Sequence, residues 1–180
     1  MLKQLEWISL GGGLAFTKEG YPIERFAQKL ADFSKTYGVQ IYLEPGESAI
    51  TGSAELVTSV VDIVHNEVDI AIIDACMEGH MLDLLIYREQ GKIKAGTPGD
   101  YEYMVAGRSC LAGDVFGTFK FQNKLTSGSE IRLDDAAGYT MVKKNWFNGL
   151  QMPGIAVRRL NGSIELVREF GYADFVKSLS

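Results

Sequence analysis

Three groups of residues in this chain could do chemistry. Glu44 ends the apolar run Val39-Gln40-Ile41-Tyr42-Leu43 and is followed by Pro45-Gly46-Glu47-Ser48. A carboxylate at the C-terminal end of a buried strand sits where α/β barrels place their reacting groups, although an ordinary turn carboxylate fits the same residues. Gly11-Gly12-Gly13 follows a short apolar stretch, and three glycines uncover backbone N–H groups. Such a loop either cradles an anion or is a flexible connector. Cys110 and Asp114 bracket the small-residue turn Arg108-Ser109-Cys110-Leu111-Ala112-Gly113-Asp114. A thiol and a carboxylate there can converge on a ligand, while a lone cysteine is more often a small buried hydrophobe.

The elements that must position these groups are of two kinds. Leu5–Leu10 reads as a strand. Pro22 then opens a helix on which Ile23, Phe26, Ala27, Leu30, Phe33 and Tyr37 recur at helical spacing until Gly38. Strand, glycine loop, helix and strand make a βαβ unit, and its right-handed parallel crossover brings Gly11–Gly13 and Glu44 to one edge. After Ser48 the texture turns to β. Val57–Val64 and Val68–Ile73 are rich in branched residues around an Asn66-Glu67 turn, and Tyr101–Gly107, Val115–Lys120 and Ile131–Leu133 continue the pattern. Ala137–Val142 reads as a buried strand. Ile155–Leu160 and Ser163–Glu169 read as a hairpin closed by a type I′ Asn161-Gly162 turn. Tyr172–Leu179 is helix-like, Lys92–Gly99 is a loop, and Asp74–Arg88 has no clear period.

The chain is thus a βαβ fragment followed by about seven strands. A complete (β/α)8 barrel takes roughly 250 residues, so the leading segment reads as the end of something longer. The expected class is α/β plus β: the last βαβ part of a (β/α)8 barrel over residues 1–48, then a mainly β, sandwich-like domain over 49–180.

Composition narrows the function. Apolar residues make up 46% and charged residues 23%, which suits a folded globular protein. No apolar run approaches the roughly 18 residues of a membrane span, and the first residues do not open a secretory segment. A cytoplasmic protein without membrane contact is expected. Cys76 and Cys110 form no disulfide framework and no metal-ligand spacing. The net charge of −5 carries no basic stripe, which disfavours nucleic acid and suits a cationic substrate.

Four ordered motifs carry a resemblance: Trp7-Ile8-Ser9-Leu10-Gly11-Gly12-Gly13, Tyr42-Leu43-Glu44-Pro45-Gly46-Glu47, Ser109-Cys110-Leu111-Ala112-Gly113-Asp114, and Ala137-Gly138-Tyr139-Thr140-Met141-Val142-Lys143-Lys144-Asn145-Trp146-Phe147-Asn148-Gly149. Together they resemble the C-terminal half of carboxynorspermidine decarboxylases, pyridoxal-phosphate enzymes of the alanine-racemase-like fold related to ornithine and diaminopimelate decarboxylases. The resemblance implies an α/β barrel joined to a β-sandwich-like domain, with pyridoxal 5′-phosphate as cofactor. It implies that Gly11, Gly12 and Gly13, with Gly46, hold the cofactor phosphate, that Glu44 pairs with the pyridine nitrogen, and that Tyr139 reaches the phosphate. It implies that Cys110 enters from the second subunit of a homodimer beside the reacting carbon, with Asp114 and Phe147 as substrate-binding residues at the same interface, the aspartate holding an amine of the polyamine. His80 and Asp83 either contact substrate or serve the surface or the core. On the residues alone, Tyr139 is an ordinary strand tyrosine.

The departures from the family pattern are informative. Many relatives carry arginine after Glu-Pro-Gly to bind phosphate. This chain has Glu47, so phosphate binding rests more on backbone groups and Glu47 is grouped with the substrate-binding residues. Leu111 follows the cysteine where ornithine-type enzymes carry an acid, which points to a longer carboxylated polyamine. The cofactor-bearing lysine has no matching motif here, so the chain is expected to hold part of an active site. The alternatives are a non-catalytic fragment that dimerises or complements a separately encoded N-terminal half, and a diaminopimelate-type decarboxylase.

Overall fold

The computed structural model describes residues 4–93 and 99–180, and the chain divides into two units after Ser53. In the first unit β1 (Trp7–Ser9) pairs in parallel with β2 (Gln40–Tyr42), Ile8 standing opposite Ile41. The expected crossover helix is present as α1 (Ile23–Tyr37). Pro22 caps its start, and Gly38 ends it in the left-handed region at φ 66°, its N–H bonded to Ser34 O at 2.8 Å. The strand run at Val39–Leu43 differs from expectation in burial. Val39 is buried, but Tyr42 is half exposed and α1 has no buried residue. Two short strands and one helix cannot enclose a core, so Leu5, Trp7, Leu10, Ile23 and Tyr42 present open apolar surface.

The second unit is built on a five-stranded mixed sheet. In chain order its strands are β3 (Leu56–Asn66), β4 (Val68–Ile73), β5 (Tyr101–Ala106), β6 (Val115–Phe121) and β7 (Glu130–Leu133). Their spatial order is β6-β5-β4-β3-β7, with β4 and β5 parallel and the other neighbours antiparallel. Glu67 makes the β3–β4 turn at φ 62°, where Asn66 faces Val68. β3 is long because it serves two partners. Residues 56–59 pair with β7, residues 60–66 pair with β4, and a register shift at Val60/Asp62 marks the handover. A bulge at that point bends the strand and curls the sheet.

Period-two alternation fills one face. Leu56 and Val60 on β3, Ala71 and Ile73 on β4, Tyr103 and Val105 on β5, Phe116 on β6, and Ile131 and Leu133 on β7 form one buried cluster, while Val57 and Val61 point to solvent. Met77, on the short helix α2 (Met77–His80), and Met81, between it and α3 (Leu82–Tyr87), close the cluster; the two helices occupy the stretch without a clear period. Of the loop expected at Lys92–Gly99, residues 94–98 lie outside the described residues.

Two expectations are corrected. Ala137–Val142 is no strand: Tyr139–Lys143 form a short helix, α4, after Gly138 at φ 55°. Asp135, at φ 57°, turns the chain beyond the end of β7; Ala136 N–H bonds Ala54 O at 3.0 Å, and from there Thr140 N–H and Val142 N–H bond locally to Ala137 O and Gly138 O. Tyr139 is accordingly half exposed. The hairpin β8 (Ile155–Arg158) and β9 (Ile164–Arg168) is present, but its turn is not type I′. Only Gly162 has positive φ there, and Gly162 N–H bonds Arg159 O while Arg159 N–H bonds Ser163 O, giving a three-residue loop. Asn161 Oδ1 accepts from Ser163 N–H and Oγ–H, so its side chain holds it out of the left-handed region. The final helix, α5 (Tyr172–Ser178), forms as expected.

Phe116 is fully buried on β6. Phe116→Ala is expected to lower unfolding stability by about 3–5 kcal/mol, read as a lower urea midpoint at unchanged slope.

Candidate functional site

The edge predicted from the βαβ unit is present in the first unit. Glu44 N–H donates to Gly11 O at 2.9 Å, and Leu10 N–H donates to Tyr42 O at 3.0 Å. Ser9 Oγ–H donates to Glu44 Oε1 at 2.5 Å while accepting Gly11 N–H at 3.1 Å. The hydroxyl therefore fixes the carboxylate and the glycine loop together. Gly11 and Gly13 have φ of 70° and 76°, which glycine adopts without strain, and the space beside each is open. Gly12 is required by a close approach, since a Cβ would lie 2.5 Å from Glu44 O. An exposed carboxylate beside an open glycine loop is a donor-and-acceptor set that suits a cationic ring nitrogen and an anionic group. Gly46 and Glu47 follow on the exposed one-turn 3₁₀ helix Glu47–Ala49, which Gly46 caps.

The second group of predicted residues gathers in the sheet unit around the loop 108–114. Asp114 is buried. Its Oδ1 accepts Met77 N–H at 2.7 Å, and its Oδ2 accepts Ser109 N–H at 3.0 Å and Ser109 Oγ–H at 2.6 Å. Three donors give this carboxylate the task of tying the loop to the start of α2, not that of a free acid facing a ligand. Gly107 must be glycine because a Cβ would lie 2.3 Å from the Asp114 carboxylate.

Cys110 is carried to the surface by this loop. Its N–H donates to Asn148 Oδ1 at 2.8 Å, and Asn148 Nδ2 lies 3.4 Å from its sulfur. Asn148 sits beside Phe147 on a 3₁₀ turn and adopts φ 56°, unusual for a residue with a side chain. Asn145 anchors that turn: its N–H bonds Gly79 O at 2.8 Å, its Nδ2 bonds Glu78 O at 3.0 Å, and its Oδ1 accepts Phe147 N–H at 2.8 Å. Ser109, Asn145 and Asn148 were not predicted. The Asn148-Gly149 pair is the signal that could have found the last, because both residues have positive φ.

His80 and Asp83 are built into the fold. His80 is buried, and its Nδ1 accepts Cys76 N–H at 3.1 Å, which places its proton on Nε2. Nε2 and Glu78 Oε2 are buried without a hydrogen-bond partner among the described residues. Burial pushes the His80 pKa down, assisted by the Arg108 charge and opposed by Asp114 and Asp74. Burial likewise pushes the Cys76 thiol up; it stays neutral and caps α2 by accepting Gly79 N–H at 3.2 Å. Asp83 forms an ion pair with Lys143 at 2.5 Å between α3 and α4, and Lys143 Nζ also lies 5.1 Å from the Tyr139 ring centre. The hydrogen bond that Lys143 Nζ donates to the Asp83 carboxylate raises the Lys143 pKa.

Residues 51–137 match the sequence profile of the family described as pyridoxal-dependent decarboxylase, C-terminal sheet domain. Over those residues the chain is similar to the C-terminal sheet domain of the pyridoxal-dependent decarboxylases. Across all 180 residues it is 51% identical to a carboxynorspermidine/carboxyspermidine decarboxylase of Herminiimonas arsenicoxydans, covering 49% of that protein. A protein of the same name from Campylobacter jejuni is 39% identical over 96% of this chain and 49% of its own length. The crystal structure of carboxynorspermidine decarboxylase complexed with norspermidine from Campylobacter jejuni superposes with a TM-score of 0.90 at 35% identity, covering 98% of this chain and 52% of that one. The chain thus spans about half the length of the relatives it matches. Among the described residues no helix is long and apolar enough to cross a membrane.

Two outcomes follow for the sheet unit. Asp114→Asn keeps the shape but turns one acceptor into a donor against N–H groups, and should cost about 1–3 kcal/mol, read by chemical denaturation. His80 enters the folded state neutral, whereas the unfolded chain binds a proton near the ordinary histidine value. Its contribution is therefore present at neutral pH and lost as pH falls below about 6.5. His80→Gln, which keeps an acceptor for Cys76 N–H, should flatten the fall of melting temperature with acid over that range.

Proposed function

We propose that this chain is the C-terminal part of a cytoplasmic, homodimeric pyridoxal-phosphate decarboxylase that removes the carboxylate from carboxynorspermidine or carboxyspermidine, giving norspermidine or spermidine. The observation that carries this reading is the likeness of all 180 residues to about half the length of decarboxylases of that name, joined to the edge at which Ser9 binds both Glu44 and the Gly11 N–H. Residues 1–48 are read as the last part of the cofactor-binding barrel and residues 49–180 as mainly the β-sandwich-like domain. The open apolar surface of Leu5, Trp7, Leu10 and Ile23 supports the first assignment, because barrel neighbours would cover it.

Each residue then has a task. Backbone groups of Gly11, Gly12, Gly13 and Gly46 hold the cofactor phosphate, and the half-exposed Tyr139 offers its hydroxyl to it. Glu44, oriented by Ser9, holds a proton on the pyridine nitrogen. When bound, pyridoxal phosphate supplies the electron sink for the pair released as carbon dioxide leaves. Cys110, entering the partner subunit's site, stands beside the reacting carbon with Phe147 and governs proton return there. Glu47 faces the cationic substrate, whereas His80, Asp83 and Asp114 act through the framework described above. The net charge of −5 suits a polycationic substrate, and Leu111 after Cys110 favours a long chain over a small diamino acid.

In the complete enzyme, Cys110→Ala should lose turnover of carboxynorspermidine, and Glu44→Gln should lose roughly a hundredfold or more in kcat. Unchanged rate and product for Cys110→Ala would remove its assigned role. Faster turnover of diaminopimelate than of carboxynorspermidine by the unmodified enzyme would replace the polyamine reading with the amino-acid one.

A further inference from the structure

Cys110 is held from two sides by one side chain. Asn148 Oδ1 accepts the Cys110 N–H at 2.8 Å, and Asn148 Nδ2 approaches Cys110 Sγ at 3.4 Å. The amide has no rotational freedom left between these contacts, because the oxygen fixes which way the nitrogen points. Its backbone is fixed as well. Asn148 lies at φ 56° and ψ 13°, a conformation that asparagine and glycine tolerate and most residues do not. The turn carrying it is closed by Gly149 N–H to Trp146 O at 2.8 Å and Leu150 N–H to Phe147 O at 3.2 Å, and it is anchored on α2 through Asn145. On the other side Ser109 and Asp114 hold the cysteine loop. The thiol is thus held between two turns that are both braced on α2, with Asn148 bonded across them.

We propose that Asn148 is a positioning residue for Cys110, fixing its backbone through the amide oxygen and its sulfur through the amide nitrogen. An N–H aimed at sulfur stabilises negative charge that develops there during reaction and narrows the directions in which the sulfur can donate or receive a proton. No other residue type at position 148 meets all three requirements. Aspartate keeps the acceptor and the backbone tolerance but aims a carboxylate oxygen at sulfur. Glycine keeps the backbone alone, and glutamine or alanine fits the left-handed conformation poorly. The inference rests on the proposed role of Cys110 in proton return.

The test uses a readout that does not depend on turnover. Cys76 is buried and its thiol is held neutral, so iodoacetamide at neutral pH reports on exposed Cys110, with Cys110→Ser as the blank. Asn148→Asp and Asn148→Gly are each expected to slow alkylation by roughly fivefold, the factor that one amide hydrogen bond commands, with the circular dichroism spectrum unchanged. An asparagine that served only as a loop brace would predict otherwise. Asn148→Gly would then alkylate faster because the loop is freed, whereas the carboxylate of Asn148→Asp repels negative charge on sulfur under either reading, so the glycine variant decides. An unchanged or faster rate for Asn148→Gly overturns the proposal. In the complete enzyme the same variants should lower kcat more than they raise KM. If Cys110→Ala leaves turnover intact while Asn148→Gly still slows alkylation, it is the assigned role of Cys110 that fails and not the contact.

Discussion

The sheet unit depends on the carboxylate of Asp114. It is buried and ionisable, a position that a protein tolerates only when strong donors replace the lost water. Met77 N–H, Ser109 N–H and Ser109 Oγ–H supply them, and each belongs to a segment that would otherwise end in unsatisfied backbone. One acid therefore joins the start of α2, the cysteine loop and the beginning of β6. Gly107 exists to let the carboxylate in. The exposed thiol of Cys110 has a defined place because its neighbours answer to a charge that cannot be moved cheaply.

The first unit follows the opposite logic. Its polar edge is well defined, with Glu44, Ser9 and Gly11 bonded to each other and Gly12 packed against Glu44 O. Its apolar surfaces are open, and Val39 is its one buried residue among those described. Hydrogen bonding has fixed a local geometry that hydrophobic burial does not yet stabilise, as expected of strands whose further neighbours complete the layer. The decarboxylase relatives, twice the length of this chain, are consistent with that physical need.

Much of this was legible from residue order. Pro22 and Gly38 bounded α1, branched residues marked β3 and β4, and Asn66-Glu67 marked their turn, because each is a short-range steric effect that sequence neighbours decide. The site residues were less so. Cys110, Glu44 and Asp114 stood out by type, but the roles of His80, Asp83 and Asp114 in the framework depend on partners 4, 60, 37 and 5 positions away. Tyr139 misled because Thr140, Met141 and Val142 have strand character, and nothing local announces that Asp135 has already turned the chain beyond the end of β7.

The sequence by itself therefore determined the βαβ opening, the order of the sheet strands along the chain, the one-edge meeting of Glu44 with the triple glycine, and the chemical types available. These follow from backbone sterics, periodicity and the handedness of a parallel crossover. Only the tertiary structure decided which asparagine of two Asn-Gly pairs enters the left-handed region. Asn161 bonds its own neighbour Ser163 and stays out, whereas Asn148 is drawn in by Cys110 from 38 positions away. A local side-chain bond can be anticipated from adjacent residues. A long-range one exists only after the sheet, the cysteine loop and the α2 turn have been brought together around Asp114.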